Sequence, residues 1–158
     1  PPMRMLWRFF TLMFHNNPSG TDELELRQKQ QTLVCVTNQY RCERLILAGR
    51  VVADLSNTDL NALHIASPSL PANGDALEHL FDVSKQNNAV MTVYYDSDSL
   101  KCLIRYIREN RVANVITGMP QQENSILQKL WRKFRNKNIG FYTVDSEGEL
   151  HPVELKEV

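Results

Sequence analysis

Residues Thr32–Pro68 read TLVCVTNQYRCERLILAGRVVADLSNTDLNALHIASP. A short apolar run, Leu33-Val34-Cys35-Val36, stops at the polar triplet Thr37-Asn38-Gln39. A helix-period segment follows from about Tyr40 to Ser56, with Leu45, Ala48, Val52 and Leu55 expected on its buried face. A second strand-like run, Leu60, Ala62, Leu63 and Ile65, stops at Ser67-Pro68. This is one strand–helix–strand unit. Parallel strands joined by a crossover helix leave a crevice beyond their carboxyl ends, where open α/β sheets bind ligands. Thr37-Asn38-Gln39 and His64-Ile65-Ala66 are therefore expected at any small-molecule site.

The same alternation continues toward the carboxyl terminus. Ser67 to Gly74 is rich in Pro, Ser, Asn and Gly and reads as a loop. Asp75, with Glu78 three residues on, predicts the capped start of a helix carrying Leu77, Leu80 and Phe81. Ala89 to Tyr95 (AVMTVYY) predicts a third strand. Asp96-Ser97-Asp98-Ser99 predicts the cap of a helix with Leu100, Leu103, Ile104 and Ile107 inside and Arg105, Arg108, Glu109 and Arg111 outside. Val112 to Thr117 predicts a fourth strand, ended by Gly118-Met119-Pro120. Asn124 or Ser125 opens a helix with Leu127, Leu130, Trp131 and Phe134 on one face. Ile139 to Val144 predicts a fifth strand, Asp145 to Gly148 a turn, and the acidic tail a short edge strand. The expected fold is α/β: an open five-stranded parallel sheet with helices on both faces.

Residues 1–31 differ in composition and are read as an apolar arm and linker, ahead of one domain at 32–158. In MRMLWRFFTLMF, Arg4, Arg8 and Thr11 fall on one helical stripe and apolar groups everywhere else. Such a segment needs a cover, which its own domain, a second subunit or a membrane surface would provide. Met3 to Phe14 is shorter than the roughly 20 residues that span a bilayer and lacks the marks of a secretory signal. A chain that begins Pro-Pro-Met is expected to be a piece of a longer protein or to carry added residues at its start. The cytoplasm is the expected compartment, with the chain either free or a soluble part of a membrane protein.

Composition excludes several classes. Formal net charge is zero, which speaks against a general nucleic-acid binder. Cys35, Cys42 and Cys102 are odd in number and have no CxxC spacing, so buried reduced thiols are expected and no disulfide. No two histidines or cysteines stand at metal-ligand spacing, and no metal is expected. There is no P-loop and no nucleophile elbow. His79 and His151 read as surface residues. The cluster Lys129, Arg132, Lys133, Arg135 and Lys137 is expected to be a solvated helix face, the other reading being a dock for an acidic partner or an anionic lipid surface.

Four stretches in this order resemble the universal stress protein (UspA-like) family, and in particular its copy inside KdpD-type potassium-responsive sensor histidine kinases. They are Leu33 to Val36, Glu43 to Arg50 (ERLILAGR), Asn61 to Ile65 (NALHI), and Leu100 to Asn110 leading into Val112 to Gly118 (VANVITG). The resemblance covers about residues 32–144. It implies a cytoplasmic, non-catalytic sensory or regulatory domain in potassium, osmotic or stress signalling. It also implies either a homodimer, paired through Ile139 to Val144 or through the arm, or docking to a sensor kinase or transporter.

Two ligand patterns go with the resemblance. ATP-binding members carry G-x2-G-x9-G-[ST] after the fourth strand, where glycines let backbone N–H groups approach phosphates. Here Gly118 fits the first position, but Gln121 and Trp131 occupy the next two, and Pro120 removes an amide donor. Ser125 keeps a hydroxyl at the next helix start. Members that bind cyclic di-AMP carry S-x-S, twenty residues, then F-T-A-x-Y. Thr37-Asn38-Gln39 and Leu60-Asn61-Ala62-Leu63-His64 hold that register with mostly changed chemistry: Thr37 keeps a hydroxyl, Ala62 is identical, and His64 stands for the tyrosine. The resemblance thus implies a ligand site at Thr37, Asn38, Gln39, Asn61, Ala62, His64, Gly118 and Ser125, for cyclic di-AMP or another adenine nucleotide. The alternatives are a stand-alone ATP-binding stress protein with slow hydrolysis and an interaction scaffold with a vestigial site.

Overall fold

The computed structural model of the chain describes residues 29–121 and 125–154. The expected helix at Met3 to Phe14, and Asn124 as a helix start, lie outside those residues. Six strands form one sheet in the order β3-β2-β1-β4-β5-β6. They are β1 (Gln31–Cys35), β2 (Asp59–Ala66), β3 (Val90–Tyr95), β4 (Val112–Gly118), β5 (Gly140–Val144) and β6 (Leu150–Pro152). β1 to β5 pair in parallel, and β6 pairs antiparallel to β5. The helices are α1 (Glu43–Ser56), α2 (Gly74–Gln86), α3 (Ser99–Glu109) and α4 (Ile126–Phe134), and a 3₁₀ turn at Tyr40–Cys42 leads into α1.

The period-2 alternation of each strand sends its side chains into two cores. Val34, Leu60, Ala62 and Ile116 pack with Leu45, Ile46 and Leu80 under α1 and α2. Leu33, Leu63, Val115 and Phe141 pack with Leu103, Ile107, Leu130 and Phe134 under α3 and α4. The amino-terminal end of the sheet is knotted by buried hydroxyls and amides. Thr32 and Thr58 share a hydrogen bond of 2.6 Å, and Asn114 Nδ2 donates to both Thr32 Oγ1 and Ser56 Oγ at 3.1 Å. Gln31, assigned to the arm by composition, is the first residue of β1 and accepts from the Tyr106 hydroxyl at 3.0 Å.

Several local expectations are corrected. Leu55 is 85% exposed: it sits at the rim of the buried arc, in the last turn before Asn57 takes a left-handed conformation (φ 53) and ends α1. α2 is capped by Asn73, whose side chain accepts the Ala76 N–H, and not by Asp75. α3 is capped as expected, with Asp98 accepting from Lys101 N–H. The acidic tail adds the expected short edge strand, the sixth of the sheet, because Gly148 (φ 87) lets the chain turn back after Asp145. β6 then occupies the outer edge of β5, with Tyr142, Thr143 and Val144 opposite Pro152, His151 and Leu150.

Candidate functional site

The strand order reverses between β1 and β4, so the two chains leave the sheet in opposite directions and open a crevice beyond their carboxyl ends. Val36 stands at its floor. Its carbonyl accepts from His64 Nδ1 at 3.0 Å, which fixes the imidazole tautomer with the proton on Nδ1. The β1–β4 register pairs Val34 with Ile116, and two residues on it brings Val36 opposite Gly118.

Of the eight residues expected at a site, the fold gathers some and separates others. Thr37 and Gln39 are exposed at the crevice mouth and Asn38 is half-buried there. Asn38 Nδ2 donates to the Pro71 carbonyl, tying the β1 exit loop to the loop after β2. Thr37 Oγ1 lies 3.3 Å from Cys42 Sγ. His64 is buried and spends one nitrogen on Val36. Asn61 and Ala62 are buried level with Leu33 and Val34, about 10 and 7 Å below Val36 along the strand. Side chains that deep reach the core and not the crevice. Ser125 caps α4, accepting from Gln128 N–H at 3.4 Å.

Gly118 and its neighbour give the crevice its chemistry. A Cβ at Gly118 would meet only Arg44 Nη2, at 3.9 Å. The fold therefore does not demand glycine at this position, whereas close approach of a ligand to the backbone would. Arg44 was not singled out from the sequence. Its Nε donates to the Asp145 carbonyl at 2.9 Å and its Nη1 to the Arg41 carbonyl at 2.7 Å, which leaves Nη2 on the side of Gly118. A guanidinium fixed by two carbonyls loses little entropy on meeting an anion. One signal for it was present: a cation in the first turn of a helix works against the helix dipole and so asks for another partner.

The rim is cross-tied further. Glu43 pairs with His79 at 3.2 Å, and the His79 ring lies 5.2 Å from that of Tyr40. His79 thus joins α1 to α2 and is not merely a surface residue. Asp145 anchors the β5–β6 turn: its carboxylate accepts from Glu147 N–H at 2.9 Å and Glu149 N–H at 3.0 Å and pairs with His151 at 2.8 Å. The His151 hydrogen bond first, and then the Glu149 N–H, hold the Asp145 carboxyl below its ordinary value of 3.8. A depressed folded-state value means the turn gains its full support above the ordinary pKa and loses it as pH falls through the folded one. The Glu147 and Glu149 amide resonances should accordingly titrate with a midpoint below 3.8 in NMR. A midpoint at or above that value would contradict the geometry.

Two of the three thiols are held toward the protonated form. Burial pushes the Cys35 thiol up to about 12, and burial followed by the Asp96 carboxylate raises that of Cys102. All three cysteines are free. Among the described residues no group of three or more His, Cys, Asp or Glu could hold a metal ion, and no helix is long and apolar enough to cross a membrane. Two concavities lie away from the crevice. One, of about 290 Å³, is at the amino-terminal end of the sheet, where Lys29–Asp59 and Arg50–Asp54 pair with each other. The other, of about 420 Å³, lies between α3 and α4.

No protein-family model matches the sequence, and no curated protein matches it. Solved structures do match the fold. A protein from the universal stress protein family of Burkholderia pseudomallei aligns with a TM-score of 0.52 at 15% identity, over 67% of this chain and 90% of that one. A universal stress protein from Archaeoglobus fulgidus aligns with a TM-score of 0.54 at 10% identity, over 70% of this chain and 92% of that one. The architecture, a mostly parallel sheet flanked by helices on both faces, is that of the universal stress protein fold.

Proposed function

We propose that the chain is a non-catalytic sensory module of the universal stress type, whose crevice between β1 and β4 receives an adenine-type ligand such as cyclic di-AMP. The observation that carries this reading is the Arg44 guanidinium, pinned by two backbone carbonyls with its third nitrogen beside Gly118. Phosphate oxygens would accept from Nη2, and the base would lie against the exposed Thr37 to Gln39 segment. Non-catalytic binding is favoured because the titratable groups at the rim already hold the scaffold: Glu43 and His79 join two helices, and Asp145 closes a turn. Loss of the second and third glycines and of the Pro120 amide weighs against a triphosphate cradle. The resemblance to sensor-kinase domains favours a cytoplasmic role in potassium, osmotic or general stress signalling. Occupancy would be passed to a kinase, a transporter or a second copy of the chain.

Calorimetric titration with cyclic di-AMP and with ATP-Mg, alongside phosphate release, tests this. Binding of the cyclic dinucleotide without ATP turnover is expected. Arg44→Met should weaken that binding by about tenfold or more, since a hydrogen bond to a charged group contributes about 1.5–3 kcal/mol. Gly118→Val should weaken it with little change in melting temperature, because the space at Gly118 is open. ATP hydrolysis that is lost in either variant would replace this reading with the enzymatic one.

A further inference from the structure

A chain of zero net charge conceals a polarised surface. Nine of its eighteen Lys and Arg fall between Lys101 and Lys137, against two of its eighteen Asp and Glu, Glu109 and Glu123. Four of the nine lie on α3 or just past it (Lys101, Arg105, Arg108, Arg111), and five lie on α4 or just past it. Both helices cover the same face of the sheet. The acidic residues of α1 and α2 lie on the other face.

Between α3 and α4 runs a groove of about 420 Å³, lined by Leu100, Ile104, Lys101, Arg105, Arg108 and Lys133, with Asp98 and Glu109 also on its wall. Leu100 and Ile104 are only half-buried, so the groove has an apolar floor between cationic walls. Asp98 is engaged as the cap of α3, and Asp96 pairs with Arg105 at 3.6 Å. Among the described residues, Lys101, Arg108 and Lys133 meet no carboxylate at ion-pair distance. An apolar floor with unpaired cations on both walls matches an amphipathic helix whose apolar stripe is flanked by carboxylates.

We infer that the α3–α4 groove is a docking site for an acidic amphipathic helix of a partner protein. The leucine-type stripe of that helix covers Leu100 and Ile104, and its carboxylates meet Lys101, Arg108 and Lys133. A duplex or single strand of nucleic acid would find cations here but no aromatic ring in the lining of the groove to stack on. A bilayer surface would meet the walls before the recessed floor.

The test is fluorescence anisotropy on the full chain with two labelled peptides of one composition. In the first, leucines recur at i, i+3, i+4 and i+7 among glutamates; in the second, the same leucines are spread around the helix. The first peptide should bind at least about tenfold more tightly, and its affinity should fall with added salt. Lys101→Glu with Arg108→Glu should reduce it by about tenfold or more, and Ile104→Ser should reduce it with the charges intact. Circular dichroism on each variant secures the fold. Equal affinity for both peptides would overturn the proposal, as would no binding. Capture of a single-stranded DNA oligomer or phosphatidylserine vesicles in place of the patterned peptide would overturn it too.

Discussion

Gly49→Val is expected to lower the stability of the domain by about 3 kcal/mol, near the upper end of ordinary overpacking. Gly49 lies in the middle of α1, where glycine costs roughly 1 kcal/mol relative to alanine, so its presence needs a reason. The reason is contact. A Cβ there would fall 2.5 Å from Val34 Cγ2 and 2.9 Å from Leu60 Cδ1. Both neighbours are buried in β1 and β2, so neither can swing aside into solvent. Glycine is what lets α1 lie directly on β1 and β2, the first of which ends at the crevice. Urea unfolding of the variant should show a lower midpoint with an unchanged slope. A stability equal to that of the parent would mean that α1 does not sit on the sheet as described.

Leu130→Ala should cost about 2–5 kcal/mol, the usual range for emptying a buried leucine site. α4 spans Ile126–Phe134, and Leu130 and Phe134 are the residues it buries. Leu130 is fully buried among Leu33, Val115 and Phe141 from three strands. Leu130 is thus the central anchor of α4, with Phe134 and the half-buried Trp131 beside it. The melting temperature should fall by roughly 10 °C for a domain of this size. Ile126→Ala, on the exposed side of the same helix, should change stability by less than about 0.5 kcal/mol. Similar losses from both changes would show that the helix has been placed on the wrong face.

These residues also show what the sequence made legible. The alternation of strand and helix was readable because each element has one clean period: Leu33 to Val36 is continuously apolar, and Leu103 and Ile107 recur at helical spacing. Element ends were less readable, because several polar residues compete to cap. Asn73 precedes Asp75 and takes the Ala76 N–H first. Leu55 keeps the helical period but lies at the rim of the buried arc and faces solvent. β6 depends on Gly148 and on the Asp145 hydrogen bonds, which are set by the turn and not by any periodicity.

The position of the candidate site was partly legible for a related reason. The ends of β1 and β4 could be located, and with them Thr37 and Gly118. Asn61 and Ala62 were carried in by spacing alone, which fixes position along a strand without saying how far that strand extends beyond its neighbour. β2 starts in register with β1, so Asn61 and Ala62 face Leu33 and Val34, well below the crevice floor at Val36. Arg44 was missed because its partner, Asp145, is 101 positions away in the chain. The one local signal, a cation in the first turn of α1, does not say where its partner lies.

The most direct test of the crevice is a nitrogen-15 NMR titration of the full chain with cyclic di-AMP. The largest shifts are expected at the Thr37, Asn38 and Gly118 amides and at Arg44 Nε, with Asn61 and Ala62 little moved. Shifts confined to the α3–α4 groove, or none at saturating ligand, would contradict the account.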